Sequence, residues 1–219
     1  MSECESLIKE IETEILDSGC IIHTNKPVKE ISKSENGWII DGNEYDIVIN
    51  TINPQKFFHL GGPNLGEFIY QGAACITLGL KKDVLDGLYW VNMKDDAPYG
   101  AVIGHTNFSP YDRYGEHIVY LASYFSGNAP EGIQEEMLAD FKTRFSIEAD
   151  EILWNRIFIE EDAGPVYLTG YRSKIPGYCN DGIYYAGMFS DTNYPERSME
   201  GSLAAGKKVA EMIREAHPE

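Results

Sequence analysis

The stretch Gly182-Ile183-Tyr184-Tyr185-Ala186-Gly187-Met188-Phe189-Ser190, followed by Tyr194-Pro195-Glu196-Arg197-Ser198-Met199-Glu200-Gly201-Ser202, decides the fold. It reads as a short buried strand, a glycine-containing turn and the start of a helix that runs to the end of the chain. Ser198 is a good N-cap, because a serine oxygen accepts from an orphan helix N–H. Gly201 and Ser202 keep the first turn slim. A helix start carries unpaired N–H groups and a partial positive charge, which suits an anionic or electron-rich ligand group. Small residues there let a flat ligand approach the backbone. The same stretch also fits a helix simply docked on a sheet. Leu203, Val209 and Met212–Ile213 form an apolar stripe, and Lys207, Lys208 and Glu211 face water. Glu200 near the start and Arg214 near the end suit the helix dipole.

Working outward to the other end, Leu7, Ile8, Ile11, Ile15 and Leu16 repeat at helical spacing, and Gly19 sits at a C-cap position. Apolar runs follow at Ile21–Thr24, Val28–Ile31 and Trp38–Ile40, then at Asp46–Thr51. Turns are expected at Glu35-Asn36-Gly37 and Asp41-Gly42-Asn43, since Asn-Gly and Asp-Gly between apolar runs signal hairpins. Asp46–Thr51 reads as a strand buried on both faces. Asn53-Pro54 reads as an N-cap with proline in the first helical position.

In the middle, Ala74–Leu80, Ala101–Thr106 and His117–Tyr124 read as strands of an antiparallel sheet. Ile133–Phe145 reads as a helix with Ile133, Met137, Leu138 and Phe141 on one face. Trp154–Ile159 is a further strand. No His-Glu-x-x-His, Gly-x-Ser-x-Gly or P-loop occurs, and no metal site is expected. His23 and His59 read as structural and His217 as part of the tail. His105 and His117 lie on or beside sheet strands, where a histidine is more often a packing residue than a base.

Tyr184–Ser190 and Tyr194–Gly206 resemble the C-terminal FAD motif of the flavin amine oxidase superfamily, which includes protoporphyrinogen oxidases, phytoene desaturases, amine oxidases and UDP-galactopyranose mutase-like proteins. The resemblance implies that the strand and turn pass the ribityl chain and pyrophosphate of FAD, and that N–H groups of the next helix meet the flavin pyrimidine edge. Carried over by position, Gly187 and Met188 fall at the ribityl turn, and Ser198, Met199 and Glu200 at the flavin edge. Many members carry an acidic residue after the Ala-Gly pair, where this chain has Met188. The first fifty residues resemble the middle of the same FAD domain. That likeness implies adenine against the backbone of Val28 and the adenosine end near Thr51. Ala101–Tyr124 resembles the superfamily's substrate domain, with the desaturase-like and mutase-like members nearest. His105, Asn107, Tyr167 and Tyr171 are then expected to face a substrate cavity. Arg197 either pairs with a phosphate, pairs in the neighbourhood of Glu196, or stays exposed.

The expected fold class is α/β to α+β: a partial, Rossmann-like FAD-binding domain (1–53 and 180–219) and a substrate domain of antiparallel sheet and helices (54–179). The Gly-x-Gly-x-x-Gly turn that cradles a dinucleotide pyrophosphate is not in the sequence. Gly61–Gly66 has the wrong spacing and carries Pro63, so it reads as a loop. The chain is expected to enter the family pattern partway, as a shortened piece, as one half of a split flavoprotein, or as a remnant that no longer binds FAD. The function expected is FAD-dependent oxidation by hydride removal from a small or apolar substrate. The alternatives are a non-catalytic subunit needing a partner that carries the dinucleotide-binding half, and a mutase-like flavin-dependent isomerase.

Composition sets the outer bounds. A formal charge of −17 over 219 residues argues against nucleic acid and against anionic lipid as partners. No apolar run approaches membrane-spanning length and no signal peptide opens the chain. Cys4, Cys20, Cys75 and Cys179 are widely spaced, which fits reduced thiols in a cytoplasmic protein. Asn107-Phe108-Ser109 is a formal glycosylation sequon and is discounted for want of a secretion signal. Fourteen tyrosines suit half-buried sheets and pocket walls equally well.

Overall fold

The chain opens with helix α1 (Glu3–Asp17) and a meander of strands β1 (Ile31–Lys33), β2 (Trp38–Ile40) and β3 (Asn43–Tyr45). Strand β4 (Val48–Asn50), helix α2 (Pro54–His59) and the long strand β5 (Tyr70–Leu80) follow. Next come β6 (Trp90–Asn92), β7 (Ala101–Gly104), β8 (His117–Phe125), helix α3 (Ile133–Arg144) and β9 (Ile152–Pro165). Short strands β10 (Cys179–Asn180) and β11 (Ile183–Tyr185) lead into helix α4 (Met199–Ala216). This computed structural model describes residues 3–35 and 37–218. Asn36 of the first expected turn and the side chain of Cys4 lie outside the described residues.

Three sheets result. The meander is antiparallel in the order β1-β2-β3. Its second turn uses Asp41 (φ 47°) and Gly42 (φ 82°), two consecutive left-handed residues, as a type I′ hairpin requires. A mixed sheet runs β10-β11-β4, with β11 parallel to β4. A five-stranded antiparallel sheet runs β6-β7-β8-β5-β9.

Alternation fixes the layers. Ala74, Ile76, Leu78 and Leu80 of β5 join Val102, Val119 and Leu121 on one sheet face, and Ile133, Met137 and Phe141 of α3 cover them. In the smaller half, Ile183 and Tyr185 point into a core with Trp38, Val48 and Phe57. Tyr184 and Ala186 point the other way, onto Ala205 and Val209 of α4. Strand β11 is therefore buried on both faces, between the meander with α2 on one side and α4 on the other.

Several expectations hold. Gly19 takes φ +82° and donates to the Leu16 carbonyl at 3.0 Å, closing α1. The Asn53 side chain accepts from Gln55 N–H at 2.9 Å with Pro54 at the first helical position. Gly61–Gly66 is a loop, and a Cβ on Gly61 would lie 2.0 Å from the Ile31 carbonyl oxygen.

Others are corrected. Ile21–Thr24 is not a strand, because no neighbouring strand offers it a ladder. Val28 precedes the meander, which begins at Ile31. Strand β4 is not buried on both faces, since Ile49 is 46% exposed. The α4 stripe is narrower than expected, with Leu203 60% exposed. His105 and Thr106 leave the strand and turn into a short 3-10 helix, His105–Asn107. No described helix is long and apolar enough to cross a membrane.

A polar cluster pins α3 to the sheet loops. Asp140 accepts from Arg144 Nε and Nη2 at 3.0 Å each and from the Tyr99 hydroxyl at 2.6 Å. Hydrogen bonds from Arg144 first, and from Tyr99 as well, hold its carboxyl below the ordinary carboxylate range. A lowered folded-state pKa gives stability that is complete above the unfolded value and lost as pH falls through the folded one. Asp140→Asn should therefore reduce stability at neutral pH and flatten the acid side of the pH profile. Thermal midpoints from neutral to strongly acid pH check this; an acid limb as steep as in the parent protein contradicts it.

Candidate functional site

The site is assembled around one side chain that the sequence pattern did not single out. Asn193 is 0% exposed and lies between β11 and α4. Its amide nitrogen donates to the Gly187 carbonyl at 3.0 Å and lies 3.2 Å from the Ser202 hydroxyl. Its oxygen accepts from the Ser198 N–H at 3.0 Å. Asn193 thus ties the turn after β11 to the first turn of α4. Ser190 completes the brace, with its hydroxyl accepting from Gly187 N–H at 3.0 Å. Both backbone groups of Gly187 are consequently held by side chains.

Gly187 and Gly201 are glycines for reasons of space. A Cβ on Gly187 would sit 3.1 Å from the Thr51 carbonyl oxygen and 2.9 Å from the Phe189 ring. A Cβ on Gly201 would meet Asn193 Oδ1 at 2.5 Å and the Thr192 carbonyl oxygen at 2.8 Å. Close backbone approach at both positions brings the end of β4, the β11 turn and the α4 start together. Ala186 N–H donates to the Asn50 carbonyl at 3.0 Å, and the Asn50 side chain brackets Ile52, so Thr51 is presented at the turn.

The α4 start is capped as its sequence implies. Ser198 Oγ accepts from Gly201 N–H at 3.0 Å, and Ser202 N–H bonds the Ser198 carbonyl at 3.3 Å. The N–H groups of Met199 and Glu200 keep no partner among the described residues. Met199 belongs to a largely apolar cleft of about 460 Å³ lined also by Leu7, Ile8, Ile11, Met188 and Leu203, with Arg197, Ser198 and Ser202 at its polar side. Met188 also borders a second cavity of about 310 Å³ that includes Thr51, Lys56, Tyr70, Glu160 and Asp162. One half-exposed methionine side chain therefore separates the two hollows.

Arg197 is neither free nor paired with an acid. Its Nη1 donates to the Pro165 carbonyl at 3.1 Å, and its guanidinium lies 5.5 Å from the Tyr167 ring centre. Tyr167 donates to the Asn193 carbonyl at 2.9 Å and packs against Tyr171 and Tyr194. Burial pushes the Tyr171 hydroxyl up to about 12 and raises that of Tyr167, so both remain protonated donors at neutral pH.

The structure thus gathers Thr51, Gly187, Met188, Ser198 and Met199 along one wall, with Tyr167 behind Arg197. Tyr171 is buried and its hydroxyl lacks a partner among the described residues. Glu200 is in the first turn of α4 but outside the cleft lining. Val28 is half exposed on a segment held by Lys29 and Glu30 N–H groups donating to Asp41 at 2.9 and 3.0 Å. Those two donors keep the Asp41 carboxyl below its ordinary range. His105 and Asn107 are not brought to this wall. His105 Nε2 meets the Tyr114 hydroxyl at 2.8 Å, and Asn107 donates to Asp83 and to the Leu88 carbonyl. Both brace the loops at the end of β7. Asn193 escaped the sequence reading because nothing in period or composition marks it. The polar run Asp191-Thr192-Asn193 between a buried strand and an N-cap was the only hint.

No protein-family model and no curated protein matches the sequence. Solved structures do match its fold. A protoporphyrinogen oxidase-like protein from Exiguobacterium superposes with a TM-score of 0.77 at 19% identity, over 97% of this chain and 51% of its own. An oxidoreductase from Methanosarcina mazei gives 0.64 at 20% identity, over 95% and 54%. A reduced UDP-galactopyranose mutase gives 0.72 at 16% identity, over 93% and 50%. The chain spans about half the length of these structures. The likeness read in the C-terminal motif and the first fifty residues therefore holds at the level of fold: this is the architecture of one half of such oxidoreductase and mutase proteins.

Proposed function

We propose that this chain is the flavin-edge and substrate portion of an FAD-dependent oxidoreductase that removes a hydride from a small or apolar substrate. The observation that carries the reading is the Met199 N–H, without a partner among the described residues, at an apolar cleft, with the Glu200 N–H next to it in the same helix turn. A flat ring with a polar edge fits that combination: donors and the helix dipole for the edge, apolar walls for the faces. Residues that would hold it are Ser198, Met199 and Glu200 at the edge. Gly187, Met188 and Thr51 would flank the attached chain toward the second cavity, and Val28 would flank the adenine. When bound, FAD supplies the hydride acceptor. The chain's own residues orient and exclude water. Leu7, Ile8, Ile11 and Met188 keep the cleft dry, and Arg197, fixed by Pro165, holds Tyr167 at its side with Tyr171 behind. The sequence carries no Gly-x-Gly-x-x-Gly turn, so that share of the cofactor would fall to a partner carrying one. The second reading, a non-catalytic subunit, is favoured by the same missing cradle.

The test is bound flavin. The protein purified from its source, with whatever it carries, should hold FAD in stoichiometric amount. Met188→Trp places a large ring between the two hollows and should weaken FAD binding about tenfold or more, while the circular dichroism melt stays unchanged. A colourless protein whose addition to FAD leaves flavin fluorescence unquenched contradicts the reading.

A further inference from the structure

We propose that the outer edge of β9 is a self-pairing surface, on which a second copy of this chain docks antiparallel and joins the two five-stranded sheets into one. Pairing of this edge requires no bound flavin.

Strand β9 ends the sheet order β6-β7-β8-β5-β9 and is hydrogen-bonded on one side, to β5. It is 14 residues long, whereas β6 at the opposite edge has 3. A long open strand presents a row of unpaired N–H and C=O groups, which proteins normally blunt with lysine, mid-strand proline or a bulge. Strand β9 carries no lysine, and Pro165 is its last residue. Its ladder with β5 is regular from Trp154 to Glu160, and the register shifts lie beyond both ends of that run. Apolar side chains line the run without cover: Phe158 is 60% and Ile159 46% exposed.

The charge pattern identifies the occupant. The centre of the run reads Arg156-Ile157-Phe158-Ile159-Glu160, with opposite charges placed symmetrically about an apolar middle. Arg156, Phe158 and Glu160 stand opposite Thr77, Cys75 and Ala73 of β5, on the sheet face away from α3. Ile157 and Ile159 stand opposite Ile76 and Ala74, on the α3 side. A copy related by a two-fold axis at Phe158 then pairs Phe158 with its own counterpart, Ile157 with the partner's Ile159, and Arg156 with the partner's Glu160. Directly opposed residues of an antiparallel pair share a face, so the aromatic pair and both Arg–Glu pairs form together on one side.

Neighbouring registers lose this match. An axis at Arg156 opposes two guanidinium groups, and like charges directly opposite destabilise a sheet. An axis at Ile157 sets Arg156 against the partner's Phe158, and one at Ile159 sets Phe158 against the partner's Glu160. A slip of one residue turns the apolar set of one copy to the wrong face. An edge that matches itself in one register fits a second copy of the same chain.

Glu160 is open to such a pairing. Within its own chain it meets Lys56 at the long distance of 4.0 Å, while Lys56 sits closer to Asp162. Glu160 also borders the cavity of Thr51, Lys56, Tyr70 and Met188. Dimerisation therefore sets a guanidinium of each copy at the rim of the other's cavity.

Sedimentation of the purified chain at micromolar concentration, with flavin removed, tests this. The expected mass is twice the 24.6 kDa of one chain. Phe158→Lys puts like charges together on the axis and should leave a single chain at the same concentration, with its melting profile preserved because the residue is exposed. Arg156→Glu and Glu160→Arg, each alone, should weaken the dimer about tenfold or more, and the two together should restore it. A single-chain mass for the parent, a Phe158→Lys variant that still pairs, or a double charge swap no better than either single one overturns the proposal. So does a polypeptide of different sequence found on the β9 edge. Because the mass is read without flavin, failure here leaves the flavin reading standing, and a colourless dimer does the reverse.

Discussion

Asn193→Leu is expected to lower the unfolding free energy by about 2–5 kcal/mol and to abolish flavin retention. Leucine shares asparagine's branching but is larger, so at this fully buried position overpacking adds about 1–3 kcal/mol while every hydrogen bond of the side chain is lost. The Ser198 N–H then lacks a partner, and the Gly187 carbonyl keeps only the Ser190 N–H at 3.0 Å. Each unsatisfied buried group costs about 1–3 kcal/mol. The loss also frees the α4 start from the β11 turn, so Met199 and Glu200 no longer stand at a fixed height above Met188. Denaturant unfolding gives the first effect and flavin content the second. Asn193→Asp keeps the acceptor for Ser198 N–H but loses the donor toward Gly187 and Ser202 and brings a carboxylate into a fully buried site, so it too should destabilise. A leucine variant as stable as the parent, or one retaining flavin, would show that Asn193 is not the brace.

Phe141→Ala should cost a comparable amount, about 3–5 kcal/mol, for a different reason. Phe141 is fully buried where α3 crosses the five-stranded sheet, against Phe145 at 5.0 Å between ring centres. Removing the ring leaves a cavity that neighbouring Leu78, Val119 and Met137 cannot fill without leaving their rotamers. The thermal midpoint should fall by about 2–4 °C per kcal/mol for a chain of this size. The residues around α4 belong to a separate cluster with no member in common with this core. Amide exchange should consequently accelerate in β5, β8 and α3 and stay near its original rate in β11 and α4. Equal acceleration in both regions would mean that the two cores unfold as one unit.

The contrast between these two residues explains what could be read in advance. Phe141 is visible from spacing alone, as one of several apolar residues on a helical face. Asn193 is invisible to that reasoning, because its importance comes from a carbonyl six positions before it and an N–H five positions after it meeting in space. The N-caps at Asn53 and Ser198, the I′ turn at Asp41-Gly42 and the C-cap at Gly19 are local bargains between a side chain or glycine and the nearest backbone. They appear in the structure where the sequence placed them. Ile21–Thr24 shows the opposite: an apolar run has strand propensity, but a strand exists only with a ladder partner. His105 and Asn107 show it again, since the loops around them use both as braces.

By itself, then, the sequence determined the helices, the hairpins, the alternating strands and the capped, glycine-slimmed start of α4, because these depend on contacts within a few residues. Tertiary structure alone decided that Met188 parts two hollows, that Arg197 leans on Tyr167, that Asn193 locks the turn to the helix, and that Ile49 and the α1 stripe stay bare. Hydrophobic periodicity records which side chains seek cover. Which of them find it depends on what folds against them, and that is set by contacts between residues far apart in the chain.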